Sequence, residues 1–373
     1  MSAIADVVVI GAGIIGCACA YFLARDGHRV VLLDRGDVAS GTASASGGWV
    51  ILHARDEPGA YRLAAESRHL YDVLSEDAGV RILPTGGFCI ASSPSELDML
   101  RSQGDRAREF FPAEVLDRNA LHEMEPLLAA DLAGALYSPR DGVVDPVEVC
   151  RALMKRAELL GAQVITHQPV MDIEVKAGQV GAVHTMKERI PAAIVVCAAG
   201  VWSPEIGRMV GLEVPVRPRR GHIVRISRWL VTRPMLEFGY EEATRPSGDA
   251  RGHDGRGLEF VMQAATDGGC LIGSSREFAG LERTPDPRVI ASILTRAARF
   301  VPAVRDLRPD AVIVGFRPHC NLGRPLIGWA GPRGFLVATG HEGTGITLGP
   351  VTGKMVADLV AGRILETGYE LAG

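Results

Sequence analysis

Three glycines near the N-terminus have the spacing of a turn that binds phosphate. Gly11, Gly13 and Gly16 follow the apolar run Val7–Ile10 and precede a helical pattern. In such a turn the first glycine permits the tight bend, the second lets a pyrophosphate approach the backbone, and the third lets helix and strand pack closely. The phosphate meets the free N–H groups and the positive end of the helix. The pattern predicts a bound dinucleotide, although a glycine-rich turn in another α/β protein has the same spacing.

An acidic residue lies where a ribose-binding carboxylate is expected. Asp34 follows the second apolar run, Arg29–Leu33, about 20 residues after the glycines. An acid at this place disfavours NADP, whose additional phosphate requires a basic partner. NAD and FAD both remain compatible with it.

In two later segments an apolar strand is likewise followed by a turn of small residues. Ile194–Ala198 runs into Ala199-Gly200-Val201-Trp202, and Phe335–Ala338 runs into the turn 339–345. Small residues let the backbone approach a flat ligand. The helix expected after the second turn would stabilise negative charge on the pyrimidine side of a reduced flavin. Each turn alone is compatible with simple packing, but the three segments together indicate FAD.

The elements that must position these turns alternate between strand and helix patterns. The fold class is therefore α/β, a Rossmann-like FAD-binding domain with a second, mainly antiparallel-sheet α+β domain for the substrate. We expect the FAD-binding domain to be discontinuous, comprising 1–55, 142–213 and 315–373, and the substrate-binding domain to comprise 56–141 and 214–314. Helices are predicted at 58–78, 94–110, 119–125, 146–160, 286–300 and 345–362. Further strands are predicted at 88–92, 163–166, 170–175 and 180–184 and within 214–227 and 258–273, and the polar stretch Arg245–Gly257 is expected to be a mobile loop.

Composition excludes several classes of protein. The chain has 373 residues, a net charge of −4 and 47% hydrophobic residues, so it is typical of a globular protein with no general attraction to nucleic acid. No apolar run approaches the roughly 20 residues that span a bilayer, and Val7–Ile15 lacks the basic flank of a signal peptide. Seven cysteines without a C-x-x-C pair predict a cytoplasmic protein with no metal site.

Five segments carry a resemblance to a known family. They are VVVIGAGIIG with LLDR, the loop GTASASGG, VVCAAGVWS, GFRPHCNLGRPLIG, and VATGHEGTGITLGPVTGKMVADL. With them the chain resembles, nearly end to end, the D-amino-acid oxidase (DAO) superfamily of FAD enzymes, whose fold is of the glutathione-reductase type. PRRGHIV, IGSSREFAG and GHEGTGITLGP are most similar to the β subunits of heteromeric dehydrogenases that act on hydroxyproline, opines or glycine in the cyanide-forming reaction.

The resemblance implies a function and a set of site residues. The activity is oxidation of the C–N bond of an amino acid to the imine, with hydride transfer to flavin N5; the substrate would be a D-amino acid, glycine or a secondary amine. Arg317, in Gly315-Phe316-Arg317-Pro318, would hold the substrate carboxylate. The implied FAD-binding residues are Gly11, Gly13, Ile14, Ile15, Gly16, Asp34, Arg35, Thr42, Ala43, Ser44, Ser46, Gly47, Gly48, Val170, Ala199, Gly200, Trp202, Gly315, Arg317, His341, Glu342, Gly343, Thr344, Gly345 and Ile346.

Other side chains are expected near the substrate. Phe260 occupies the place of the active-site tyrosine of glycine oxidases, and Trp49 and His53 follow the FAD loop. Arg276 and Glu277 are further candidates. The chain departs from the family at Cys320 and Leu322, which replace a short polar residue and an aspartate; we expect this change to alter the wall near the flavin and the Cys320 thiol to be packed.

Alternatives to a self-sufficient oxidase remain open. One is a catalytic subunit that passes electrons to a partner subunit, and a homo-oligomer is also compatible with the sequence. A NAD-dependent Rossmann dehydrogenase and a subunit that keeps FAD for structure alone are more distant alternatives.

Overall fold

The computed structural model describes residues 5–53, 57–239 and 257–363. Along the chain the described strands are β1 (Ala5–Ile10), β2 (Val30–Leu33), β3 (Trp49–Val50), β4 (Ile82–Leu83), β5 (Gly87–Ala91), β6 (Glu114–Asp117), β7 (Gly134–Ser138), β8 (Gly142–Val144), β9 (Gln163–Ile165), β10 (Val170–Lys176), β11 (Gln179–Thr185), β12 (Arg189–Cys197), β13 (Val216–Ile226), β14 (Met235–Glu237), β15 (Gly257–Ala264), β16 (Cys270–Arg276), β17 (Ala311–Cys320), β18 (Leu326–Trp329) and β19 (Phe335–Thr339). The described α-helices are α1 (Ile14–Arg25), α2 (Pro58–Asp77), α3 (Pro94–Ala107), α4 (Arg118–Met124), α5 (Pro146–Leu159), α6 (Ser203–Met209), α7 (Pro287–Phe300) and α8 (Gly345–Val360).

One eight-stranded sheet is built around β1. Parallel pairing runs from β9 through β2, β1 and β12 to β19, and the antiparallel strands β10, β11 and β18 extend it. Val7 and Val9 face a core that includes α1, α5 and α8, whereas Val8 and Ile10 face a second core. Apolar burial on both faces is what a central parallel strand requires, and β1, α1 and β2 form the predicted βαβ unit.

The second eight-stranded sheet is mainly antiparallel and has the order β17-β13-β16-β15-β14-β5-β7-β6. Its longest pairing joins β13 and β17, so that Arg219 lies opposite Arg317. Helix α7 covers one face and buries Val289, Ile293 and Phe300 against it. The other face is free to border a cavity.

The predicted elements agree with the structure to within a few residues, and both parts of the predicted fold class are confirmed. Several described elements were not predicted, among them β6, β7, β8, β18 and β17, in which Pro318 lacks the N–H that an inner strand needs. The structure places β17 at the sheet edge, where a proline is tolerated.

Some sequence predictions remain outside these observations. The division into two domains at the stated boundaries stays a prediction; position 315 falls inside β17. The loop expected at Arg245–Gly257 lies outside the described residues, except that Gly257 begins β15. Within the described ranges, no helix is long and apolar enough to cross a membrane. All seven cysteines lie within these ranges, are buried and are thiols not joined in disulfides.

Candidate functional site

A cavity of about 560 Å³ lies between the two large sheets. It is bordered by the carboxyl ends of β1, β2, β12 and β19 and by the face of the antiparallel sheet opposite α7. Every residue predicted to bind FAD lines this cavity except Gly16 and Ser44. The three glycine turns, far apart in the sequence, therefore meet at one place.

The glycines of the first turn leave room for a phosphate. Gly11 has φ +108°, and a Cβ there would lie 2.6 Å from the carbonyl oxygen of Ala198. A Cβ on Gly16 would overlap the carbonyl oxygen of Gly11, so Gly16 serves the packing of α1 on β1 and not the cavity. Gly13 has no atom within 4 Å of its missing Cβ and lines the cavity at the start of α1. These residues fit the pyrophosphate of a dinucleotide.

Asp34 borders the same turn. Its Oδ2 accepts a hydrogen bond from the Ala12 N–H (2.6 Å), and its Oδ1 accepts one from the Gly36 N–H (2.8 Å). The carboxylate thus fastens the glycine turn to the end of β2, and ribose binding by Asp34 stays a prediction. Nearby, the Arg35 guanidinium lies 4.0 Å from the centroid of the Trp202 ring, a cation–π contact in the cavity wall.

The small-residue loop after β2 is held by the second sheet. Thr42 Oγ1 donates to the Phe316 carbonyl oxygen at 2.7 Å, and Gln263 Nε2 donates to the Gly47 carbonyl oxygen. Ser44 Oγ donates to Gly41 within the loop and does not face the cavity. The sequence did not single out Gln263, because its approach to Gly47 depends on how the two sheets pack.

The last turn is fixed by its own side chains. Buried His341 contacts Thr352 through Nε2 at 2.9 Å, and Thr344 Oγ1 donates to the His341 carbonyl oxygen at 2.7 Å. Tyr71 from α2 donates to the Ile346 carbonyl oxygen at 2.6 Å. The N-terminal end of α8 thus borders the cavity in a rigid turn, as the flavin hypothesis requires.

Phe260 does not reach the cavity. It is fully buried on the α7 side of the sheet, where its ring stacks on Phe300 with the centroids 4.3 Å apart. Its neighbours Val261 and Gln263 line the cavity instead. Because side chains alternate along a strand, a position one residue away faces the opposite side. The predicted substrate contact at Phe260 is therefore corrected: Val261 lies at that wall.

Trp49 and His53 have different positions. Trp49 lines the cavity, and its Nε1 donates to Asp141 Oδ2 at 2.9 Å. His53 is fully buried beside the same carboxylate, with its Nδ1 3.1 Å from Asp141 Oδ2, and does not line the cavity. Of these two residues the structure brings Trp49 to the site, whereas His53 lies buried beside Asp141 outside the cavity lining.

Arg317 projects from β17 into the cavity beside the last glycine turn. Its Nη1 donates to the Ser275 carbonyl oxygen at 2.9 Å, which fixes the guanidinium plane. A Cβ on Gly343 would lie 3.9 Å from Arg317 Nε, so the glycine leaves the space beside it open. The predicted carboxylate-binding residue thus adjoins the predicted flavin loop.

Glu342 lies among three arginines. Its Oε1 is 3.3 Å from Arg219 Nη1 and 3.9 Å from Arg276 Nε, and its Oε2 is 4.0 Å from Arg317 Nε. Burial opposes ionisation of this carboxyl group, but the positive charges of Arg317, Arg276 and Arg219 outweigh it and hold the pKa of Glu342 below its usual range. Sequence reasoning missed Arg219, because only the pairing of β13 with β17 places it opposite Arg317.

Of the adjacent candidates Arg276 and Glu277, only Arg276 lines the cavity. Glu277 Oε2 pairs with Arg220 Nη2 at 2.8 Å, away from the cavity. His222 lies beside this pair, and its Nε2 accepts from the Asp286 N–H at 3.2 Å. Burial lowers the pKa of His222, in keeping with a neutral ring. The predicted substrate contact of Glu277 is therefore corrected to a structural ion pair.

The two departures from the family pattern differ in consequence. Cys320 is buried at the end of β17 and lines the cavity, which confirms a packed thiol. Leu322 is 57% exposed in the following turn and does not line the cavity, contrary to the expectation that it alters the wall.

A βαβ unit whose glycine turn opens on a cavity, with two further glycine turns at the same sheet edge, defines a dinucleotide-binding flavoprotein. The family model described as FAD dependent oxidoreductase (DAO) matches residues 6–359. The chain belongs to this family, and its cofactor is FAD.

Similarity to known proteins extends along nearly the whole chain. The glycine oxidase of Bacillus subtilis (strain 168) is 30% identical over 96% of this chain and 93% of its own length. The crystal structure of glycine oxidase from Geobacillus kaustophilus has a TM-score of 0.84 and 29% identity, covering 99% of this chain and 97% of that one. The L-proline dehydrogenase of P. horikoshii has a TM-score of 0.87 at 23% identity, covering 98% of this chain and 95% of that one, and is similar in fold.

Proposed function

We propose that this chain oxidises the C–N bond of a small amino acid whose carboxylate is bound by Arg317. The chain is a FAD-dependent oxidoreductase, and amine oxidation agrees with the names of its glycine oxidase relatives. The observation that carries the proposal is the placement of the Arg317 guanidinium in the cavity beside the last glycine turn. A planar guanidinium can bind a carboxylate through two parallel hydrogen bonds.

The residues of the chain contribute chiefly by orientation. Bound FAD supplies the two-electron acceptor for the C–N oxidation. Arg317, fixed by the Ser275 carbonyl, would hold the substrate carboxylate and so direct the α-carbon towards the cofactor. The apolar side chains of Ile51, Leu236 and Val261 form part of the cavity wall and limit access of water.

Replacement of Arg317 tests the proposal. Arg317→Ala should lower kcat/KM for the preferred amino acid by about 100-fold, because a charge-assisted pair contributes roughly 3 kcal/mol. The substrate is first chosen from glycine, sarcosine, D-amino acids, prolines and hydroxyproline by anaerobic bleaching of the flavin. Arg333→Ala is the matched control, since Arg333 is exposed outside the cavity. Unchanged kcat/KM in Arg317→Ala, with FAD still bound, would contradict the carboxylate clamp.

A dehydrogenase that passes electrons to a partner subunit is the second candidate. Phe278, Leu281 and Leu322 are 52%, 46% and 57% exposed, and Phe278 packs on His319 of β17. Exposed apolar side chains of this kind are typical of protein contacts where they adjoin one another. Hydrogen peroxide formation by the isolated chain in air decides between the candidates. Peroxide formed as fast as the substrate is oxidised supports the oxidase. Reduction of an artificial dye without peroxide formation supports the dehydrogenase that needs a partner subunit. A cytoplasmic location remains a prediction.

A further inference from the structure

Charged side chains on three strands and one turn meet beside Arg317; of these, Arg276, Arg317 and Glu342 line the cavity. Arg219 lies on β13, Arg276 on β16 and Arg317 on β17, and all three approach the carboxylate of Glu342 within 4.0 Å. Arg276 also pairs with Glu259, which is 6% exposed. Among the described residues the cluster therefore contains three guanidinium groups and two carboxylates, which together carry one net positive charge.

Neighbouring groups leave this balance unchanged. Burial and the charge of Arg219 lower the pKa of His319, which keeps its ring neutral at neutral pH. Arg220 and Glu277 neutralise each other outside the cavity. Arg283 and Arg324 also line the cavity, but both are exposed, so that water and salt screen their charges.

Glu342 acts in this cluster mainly through its charge. Its Oε2 accepts no hydrogen bond from the described residues, although Arg317 Nε is 4.0 Å away. Its backbone has φ +49°, and the adjoining turn is held by Thr344 Oγ1 bonded to His341. The Glu342 carboxylate thus has a fixed place within reach of the proposed site for the substrate carboxylate. There it cancels one of the guanidinium charges.

We propose that Glu342 is a specificity-determining residue that adapts the cavity to substrates with a single carboxylate. The inference rests on the proposed binding of the substrate carboxylate by Arg317. One carboxylate balances the single net charge of the cluster. A second substrate carboxylate would be buried without a positive counter-charge and would be repelled by Glu342. Binding of dicarboxylates is therefore disfavoured.

Binding of acetate and malonate to the FAD-loaded enzyme tests this inference without turnover. Dissociation constants are measured for both anions from the change in flavin absorbance. Glu342→Gln raises the net charge of the cluster by one. The substitution should lower the dissociation constant of acetate by about 10-fold and that of malonate by about 100-fold, because each ligand carboxylate then interacts with one additional uncompensated positive charge. Their affinity ratio then changes by about 10-fold in favour of malonate, and an unchanged ratio would overturn the inference.

Matched variants separate charge from shape. Glu342→Asp keeps the negative charge, and Glu277→Gln removes a comparable carboxylate from the ion pair outside the cavity. In both variants the ratio of the acetate and malonate dissociation constants should stay within about twofold of the wild-type ratio. If Glu342→Gln does not retain FAD, Arg219→Gln supplies the opposite test. This substitution removes the net positive charge of the cluster, so it should weaken the binding of both anions, that of malonate more than that of acetate. Unchanged affinities would overturn the inference.

Arg317→Ala distinguishes the two proposals. Loss of acetate binding in this variant, together with an unchanged ratio in Glu342→Gln, refutes the role of Glu342 and keeps the carboxylate clamp. Unchanged acetate binding in Arg317→Ala refutes the clamp itself, and the inference fails with it.

Discussion

At the scale of the residue, the direction of a side chain decides which neighbours contribute to the site. Val261 and Phe260 are adjacent on β15, yet one lines the cavity and the other stacks on Phe300 in the core. The same contrast separates Arg276 from Glu277. The resemblance to glycine oxidases pointed to Phe260, near which their active-site tyrosine falls, whereas the pleat of the strand places Val261 at the cavity.

This difference can be measured with a pair of substitutions. Phe260→Leu should lower the free energy of unfolding by about 1–2 kcal/mol through lost packing, and leave KM for the preferred amino acid unchanged. Val261→Phe should raise KM by narrowing the cavity, with little change in FAD content. Urea denaturation and steady-state kinetics on both variants supply the test. A raised KM in Phe260→Leu at native stability would contradict the assigned orientation.

At the scale of the element, close packing of α8 on α1 holds two cavity-forming turns together. A Cβ on Gly353 would lie 2.6 Å from the carbonyl carbon of Ala18, and one on Gly349 would lie 2.7 Å from Ile14 Cγ1. The two helices begin at the first and last glycine turns. Their glycines therefore set the distance between the proposed pyrophosphate site and the proposed flavin loop.

Gly353→Ala should separate these helices and destabilise the fold. The methyl group meets backbone atoms, which cannot move aside, so we expect a loss of about 1–3 kcal/mol in unfolding free energy and weaker FAD binding. Chemical denaturation and FAD titration measure the two effects. Gly181→Ala is the control, because its methyl group would approach the flexible Glu174 side chain to 3.1 Å and come no closer than 3.9 Å to the Glu174 backbone oxygen. Equal stability of Gly353→Ala and wild type would refute the packing argument.

At the scale of the whole molecule, the two large sheets share the cavity, and side-chain contacts join the two layers around it. Thr42 bonds to Phe316 and Gln263 bonds to Gly47 across this boundary. Residues from both sheets line the cavity. A cofactor bound there contacts both layers, so it should add to the stability of the native fold.

Removal of FAD should accordingly lower Tm. Ligand at about 1,000 times its Kd stabilises the native state by about 4 kcal/mol. For a chain of this size we expect a Tm several degrees higher in the holoenzyme than in the apoenzyme, and recovery when FAD is added back. Differential scanning calorimetry gives the shift, with riboflavin as a control that lacks the pyrophosphate. Equal Tm values for apoenzyme and holoenzyme would argue against a cofactor that joins both layers.

Local sequence patterns were sufficient for the fold class and for most of the residues that line the cavity at the glycine turns. The βαβ unit and the two later turns are contiguous segments in which glycine spacing and apolar runs carry the information. The substrate wall was harder to predict. Phe260 was expected there from the resemblance, and His53 and Glu277 from their proximity in sequence to the predicted site, but they lie elsewhere, beside Phe300, Asp141 and Arg220 respectively.

The sequence by itself predicted FAD as the cofactor, with three glycine turns as its binding site, and singled out Arg317 shortly before the last of them. Only the tertiary structure decided which charges surround that arginine. Arg219 and Arg276 come from separate strands and meet Glu342 because β13 pairs with both β17 and β16. Such a cluster depends on strand register and on the packing of the two sheets, both of which join residues distant in sequence.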